Sequence, residues 1–119
     1  MTKTIKKPWG HYEVVDLQEG FQIKKIVVKP EAKLSLQSHQ HRSEHWIVAY
    51  GIATVEIGEE IFNLKSGESK FIPKKCKHRL ENNGNKDLMI IEIQLGEYLG
   101  EDDIIRYEDI YNRKVINDS

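Results

Sequence analysis

The chain has 119 residues, 39% hydrophobic and 31% charged, with a formal net charge of −1. This is the make-up of one ordinary globular domain, long enough to bury roughly two-thirds of the surface that its unfolded chain exposes. The balanced charge argues against the long-range attraction that nucleic-acid-binding and anionic-membrane-binding domains use, and no apolar run approaches the ~20 residues needed to cross a bilayer. Residues 1–7 are basic and polar, without the apolar stretch of a signal peptide. Cys76 is the only cysteine, so no internal disulfide can form and a thiolate metal site has nothing to build on. A cytoplasmic, reducing setting is expected.

In chain order, the pattern is one of strands and turns. Residues 21–28 are rich in β-branched side chains and run into Lys29-Pro30, where the missing amide hydrogen discourages further pairing. Residues 34–39 alternate apolar and polar, as a half-buried strand does. Residues 45–50 form an apolar run closed by Gly51. Strands at 52–57 and 61–64 flank a hairpin turn at 58–60. Ser66-Gly67 makes the next turn, a strand at 69–72 stops at Pro73, and a strand at 78–81 stops at Asn82-Asn83-Gly84-Asn85. The longest strand spans 88–95. Helical character is expected only in the tail, residues 102–113, with Ile104, Ile105 and Ile110 on its apolar side. Many short strands with regular turns predict an all-β sandwich or barrel of one domain. The barrel is expected over about residues 20–96, with an N-terminal arm at 1–19 and a C-terminal cap at 97–119.

Two segments carry chemistry. The first holds Gln37, His39, His41, Glu44 and Gly51; the second holds Gly67, Pro73, His78 and Asn82. Imidazole and carboxylate groups are ligands for Zn, Fe, Mn, Ni or Co. Gln37 and His39, two residues apart on a strand, share a face. A four-residue loop at 40–43 would set Glu44 opposite His39 across a hairpin, and His78 would close the site from a distant strand. A rival set takes His39 and His41 with Glu44. It leaves Arg42-Ser43 as a two-residue turn, a poor fit to the positive φ that such turns require. Either way one divalent ion is expected, zinc first among the candidates.

These segments resemble the two cupin motifs. Glu44 and Gly51 have the first motif's spacing, with Gln37 and His39 at its paired ligand positions. Gly67, Pro73, His78 and Asn82 follow the second, although Lys75 stands where that motif usually has glycine. A closer resemblance covers nearly the whole chain. Lys7-Pro-Trp-Gly10, Ile26-Val-Val-Lys-Pro30, Leu34-Ser-Leu-Gln-Ser-His39, His41-Arg-Ser-Glu-His-Trp46 and Tyr98-Leu-Gly-Glu-Asp-Asp103 are similar to the isomerase domain of type II phosphomannose isomerases. Glu31, usually glycine there, and Tyr50 depart from that pattern. In that family the domain usually follows a mannose-1-phosphate guanylyltransferase domain, for which these 119 residues leave no room.

The resemblance implies a cupin barrel, a Gln37, His39, Glu44, His78 ligand set, and interconversion of mannose 6-phosphate and fructose 6-phosphate through an enediol. That chemistry needs an electrophile, a base and a cation for phosphate. Glu92 and His41 are the candidate bases. Arg106 and Arg42 are the candidate phosphate ligands, while Lys24, Lys25, Lys33, Lys74, Lys75 and Lys77 read as solvated surface. Trp46, Val48 and Tyr50 share strand phase with Glu44 and should wall the pocket, and Trp9 either packs in the core or stacks on sugar. Ile47 and Ala49 make the same strand apolar on its other face, which predicts a homodimer. Two other readings remain: an isomerase or epimerase acting on another sugar phosphate or nucleotide sugar, and a non-catalytic metal- and sugar-phosphate-binding domain that partners a guanylyltransferase.

Overall fold

A computed structural model of the chain describes residues 3–108, and within these residues every regular element is a strand. In chain order they are β1 (Thr4–Lys7), β2 (Gly10–Gln18), β3 (Phe21–Val28), β4 (Ala32–Lys33), β5 (Leu36–Ser38), β6 (Arg42–Tyr50), β7 (Ala53–Ile57), β8 (Glu60–Leu64), β9 (Ser69–Ile72), β10 (His78–Asn82), β11 (Leu88–Gly96) and β12 (Ile105–Glu108). They form two antiparallel sheets. One runs β1-β2-β3-β11-β6-β9 and the other β12-β5-β10-β7-β8, with β4 also on β10. No helix among these residues is long and apolar enough to cross a membrane.

The inward-facing residues change character partway along the barrel, and this change creates the site. On β11, Leu88 and Ile90 are fully buried, and the same face continues with Glu92 and Gln94. On β3 the sequence is Val28 and Ile26, then Lys24 and Gln22; on β6 it is Val48 and Trp46, then Glu44 and Arg42. The registers align these changes across the sheet. Ile90 pairs with Ile26 and Val48, Glu92 with Lys24 and Trp46, and Gln94 with Gln22 and Glu44. One end of the barrel is therefore an apolar core, to which Val55 and Leu64 of the second sheet contribute. The other end is a buried polar cavity.

Several local features follow from residue chemistry. Gly58, at φ 60°, is the first central residue of the tight β7–β8 turn, a position for which glycine is suited. Glu31 and Lys75 have φ 57° and 66°. These are the two positions where the resemblance expects glycine, and a left-handed backbone explains that preference.

Four expectations are corrected here. The tail at 102–113 is not helical over its described part: residues 105–108 form β12 and pair with β5, whose free edge supplies partners that the tail's own sequence does not announce; residues 109–113 lie outside the described range. Within the expected N-terminal arm, residues 4–18 form a hairpin, β1–β2, that extends the first sheet through β3. β5 and β6 do not form a hairpin. They belong to different sheets, and the chain turns a corner at residues 39–41. Tyr50 is 46% exposed. A bulge leaves Ala49 without a partner between Val48 and Tyr50, and this breaks the alternation that would have turned Tyr50 inward.

Candidate metal centre and cavity

His39 leaves the end of β5, Glu44 lies two residues into β6, and His78 opens β10. Their ligand atoms all lie within 4.8 Å of one another, and all three residues are buried. His39 Nε2 is 3.2 Å from Glu44 Oε2, and His78 Nε2 is 3.7 Å from Glu44 Oε1. The opposite ring nitrogens settle the tautomers. His39 Nδ1 is 2.7 Å from the Asp103 carbonyl oxygen, and His78 Nδ1 is 3.0 Å from that of Cys76. A carbonyl only accepts, so each ring carries a proton on Nδ1 and turns Nε2, the nitrogen that can ligate a metal, toward Glu44. This is the arrangement of metal-binding histidines held by carbonyl partners, and the donor set fits a divalent ion of the zinc class.

The protonation states agree. Burial, with Arg42 and His78 adding to it and Glu44 opposing, lowers the His39 pKa to about 4, so this imidazole is neutral at pH 7. Burial alone would raise Glu44, but the positive charge of His39 and His78 in their protonated forms, and the permanent charge of Arg42, hold its carboxyl well below the usual range.

The corner at 39–41 is pinned from two sides. Asp103 accepts the backbone N–H of Gln40 at 2.9 Å on one carboxylate oxygen and that of His41 at 3.0 Å on the other. From the second motif, Lys75 donates its N–H to the His39 carbonyl at 2.7 Å. The turn at 73–76 therefore positions both histidines, one through Lys75 and the other through Cys76.

The remaining candidates divide. Gln37 lines the same cavity and pairs in register with His78. Its amide nitrogen donates to the Ser35 hydroxyl at 3.0 Å, leaving the oxygen as the atom to offer a ligand. Arg42, expected on a turn, is buried on β6 and donates from Nε to Glu44 Oε2 at 2.8 Å, with Nη2 3.4 Å from His39 Nε2. Its Nη1 is buried without a hydrogen-bond partner among the described residues. Trp46 donates Nε1–H to both Glu44 Oε1 and Glu92 Oε2, each at 3.0 Å. Glu92 faces inward, accepts from Gln94 at 2.7 Å, and has its pKa raised to about 8 by burial and the nearby Glu44 charge. Arg106, on β12 opposite Gln37, lines the cavity, as does Trp9, which is also part of the core. Two residues are displaced from the expected site. His41 is exposed and packs edge-on against Tyr98, because the corner turns it outward. Tyr50 lies beyond the bulge. The sequence reading missed Asp103, and it took Lys24 for surface, whereas Lys24 is 4% exposed and lines the cavity. The two-residue phase Gln22, Lys24, Ile26, Val28 was the available signal, hidden by a strand apolar on both faces.

Residues 1–109 match the family model described as mannose-6-phosphate isomerase C-terminal. The chain belongs to this family. It is 51% identical over 111 residues to the xanthan biosynthesis protein XanB of Xanthomonas campestris pv. campestris, covering 93% of this chain and 24% of XanB. It is 53% identical over 109 residues to the alginate biosynthesis protein AlgA of Pseudomonas putida, covering 92% of this chain and 22% of AlgA. The mannose-1-phosphate guanylyltransferase ManC of Salmonella typhimurium is 46% identical over 113 residues, 95% of this chain and 24% of ManC. The chain thus spans about a quarter of the length of these relatives. Among solved structures, an RmlC-like cupin from Shewanella frigidimarina aligns with TM-score 0.75 at 20% identity, over 85% of this chain and 87% of that one. KdgF from Halomonas aligns with TM-score 0.75 at 15% identity, over 81% and 89%. These likenesses establish the cupin fold.

Proposed function

We propose that this domain interconverts mannose 6-phosphate and fructose 6-phosphate with one divalent metal ion, held by His39, Glu44, His78 and Gln37. The observation that carries the reading is the convergence of two imidazole nitrogens and a carboxylate in a cavity that also holds the buried acid Glu92, in a chain of this family. When bound, such an ion supplies Lewis-acid polarisation of a carbonyl and stabilises developing negative charge. Zinc suits the nitrogen and oxygen donors, with Co, Mn, Ni and Fe as alternatives.

Glu92 is the proton shuttle in this reading. It takes the proton from C2 of the open-chain sugar and returns it to C1, while a second proton passes from the O2 hydroxyl to O1, so that the carbonyl moves from C1 to C2 through the enediol. A carboxyl near pKa 8 is a far stronger base, once ionised, than an exposed glutamate. Trp46 and Gln94 hold its two oxygens in place. Arg42 offers its buried Nη1–H to a substrate oxygen, and Arg106 adds positive charge at the cavity wall. The test is a coupled assay with mannose 6-phosphate on protein stripped of metal and reloaded with each ion in turn. Turnover restored by at least one ion is expected; none with any ion overturns the reading.

A second reading is a sugar-phosphate-binding domain that serves a guanylyltransferase. It is favoured by the 46% identity over 113 residues to ManC, which is named a mannose-1-phosphate guanylyltransferase. Binding of mannose 6-phosphate without turnover would select it. The homodimer is proposed through the outer face of the first sheet, where Ile91 pairs with Ile47, Ile93 with Ile23, and Phe71 is 51% exposed. Light scattering should give twice the chain mass, falling to one for Phe71→Glu.

A further inference from the structure

Lys24 presents an electrostatic problem. Its side chain is 5% exposed, and a lysine at that depth stays charged only with an anionic partner. That partner is Glu101: Lys24 Nζ lies 2.6 Å from Glu101 Oε2 and 4.2 Å from the centre of the Tyr12 ring. Glu101 is unlike the other cavity acids. It sits on a turn between β11 and β12, and 56% of its side chain is exposed. Glu44 is tied down by Arg42 and Trp46, and Glu92 by Trp46 and Gln94. Glu101 bonds Lys24 and, at 3.5 Å, the Tyr12 hydroxyl. Two of the cavity arginines, Arg79 and Arg42, compare in the same way. Arg79 commits Nε to the Leu34 carbonyl and both terminal nitrogens to Glu108, and Arg42 commits Nε to Glu44. Lys24 therefore differs from both in having a partner on a loop: Glu108 is as exposed as Glu101 but is fixed on β12, and Glu44 is buried on β6.

We propose that Lys24 binds the phosphate group of a sugar phosphate, and that Glu101 is a displaceable carboxylate which holds Lys24 until the phosphate replaces it. The proposal rests on the sugar-phosphate reading above. A phosphate brings more charge and more acceptor oxygens than one carboxylate. Direct exchange keeps Lys24 paired throughout, so its buried charge is never exposed to the apolar wall. The Tyr12 O–H can pass from the carboxylate to a phosphate oxygen in the same step. Glu101, released, moves into water, where an exposed carboxylate costs little.

The test is calorimetric titration of inorganic phosphate into the full chain as purified, at equal metal content, for the wild type, Glu101→Gln, Lys24→Met and the double variant. A contact that closes the site nine-tenths of the time weakens apparent affinity about tenfold. Glu101→Gln is therefore expected to bind phosphate about tenfold tighter. Lys24→Met is expected to bind at least about tenfold weaker, with no gain from adding Glu101→Gln to it. The KM for mannose 6-phosphate should follow the same order. No tightening in Glu101→Gln, wild-type affinity in Lys24→Met, a gain that persists in the double variant, or no phosphate binding by any form would each overturn the proposal. Should Lys24→Met fail to fold, the Glu101→Gln titration decides alone. Turnover with KM unchanged in both single variants would overturn this proposal and leave the isomerase reading standing. Lys24-dependent phosphate binding without turnover would do the reverse.

Discussion

Asp103 should hold the metal centre together without touching the metal. Its carboxylate takes the N–H groups of Gln40 and His41 at 2.9 and 3.0 Å, and its carbonyl takes the Nδ1–H of His39 at 2.7 Å. Asp103→Ala removes two charge-assisted bonds, each worth roughly 1.5–3 kcal/mol. Gln40 and His41 are exposed, so water compensates part of the loss. The expected cost is about 2–4 kcal/mol of unfolding free energy, read from urea denaturation of metal-free protein. The carbonyl at residue 103 remains, but the corner it serves is loosened. His39 is then less well aimed, and metal affinity should fall about 10–100-fold, read by competition with a chromophoric chelator. Asp103→Asn keeps one acceptor oxygen and should fall between. A stability change within about 0.5 kcal/mol, together with unchanged metal affinity, would refute the argument that this residue fixes the corner.

Other outcomes follow from particular residues. Lys75→Gly relieves a left-handed backbone at φ 66°; the relief of about 1–2 kcal/mol is partly offset by glycine's entropy, for a net stabilisation of roughly 0.5–1 kcal/mol in thermal or urea unfolding. His41→Ala should leave metal content and turnover near wild type, because His41 faces solvent beside Tyr98. For metal-free protein, Glu92 sets a pH dependence. Its folded pKa is raised from 4.5 to about 8, so between these values the unfolded chain releases a proton that the folded chain keeps. This stability is fully present below about pH 4.5 and is lost as pH rises through 8, at up to about 1.4 kcal/mol per unit. Glu92→Gln should remove that decline, and parallel urea midpoints for the two proteins across pH 5–8 would count against it.

The cluster of His39, Glu44 and His78 is legible in the sequence as a candidate ligand set because it is a matter of spacing and residue type: an imidazole, a carboxylate five residues on, and a second imidazole before a turn. Glu92 was legible for a related reason, since an acid in the middle of an apolar strand must either face out or be tuned. What was not legible depends on partners far along the chain. Nothing local distinguishes a hairpin at 40–43 from a corner between two sheets, and the geometry that brings His39 to Glu44 is the corner, held by Asp103 from 62 and 63 residues downstream. One unpaired residue at Ala49 inverted the phase for Tyr50. β12 was read as helix because a four-residue strand shows too little alternation to declare itself, and its pairing comes from β5. Lys24 reads as surface because lysine is so rarely buried; its register opposite Glu92 is a property of the sheet, not of β3 alone.

The central claim is that His39, Glu44 and His78 hold one divalent ion. Metal stoichiometry by plasma mass spectrometry, on wild type and His78→Ala reconstituted together, with circular dichroism to show both folded, tests it most directly. One ion per chain is expected in the wild type, and a large loss in His78→Ala. Equal metal content in the two folded proteins would contradict it.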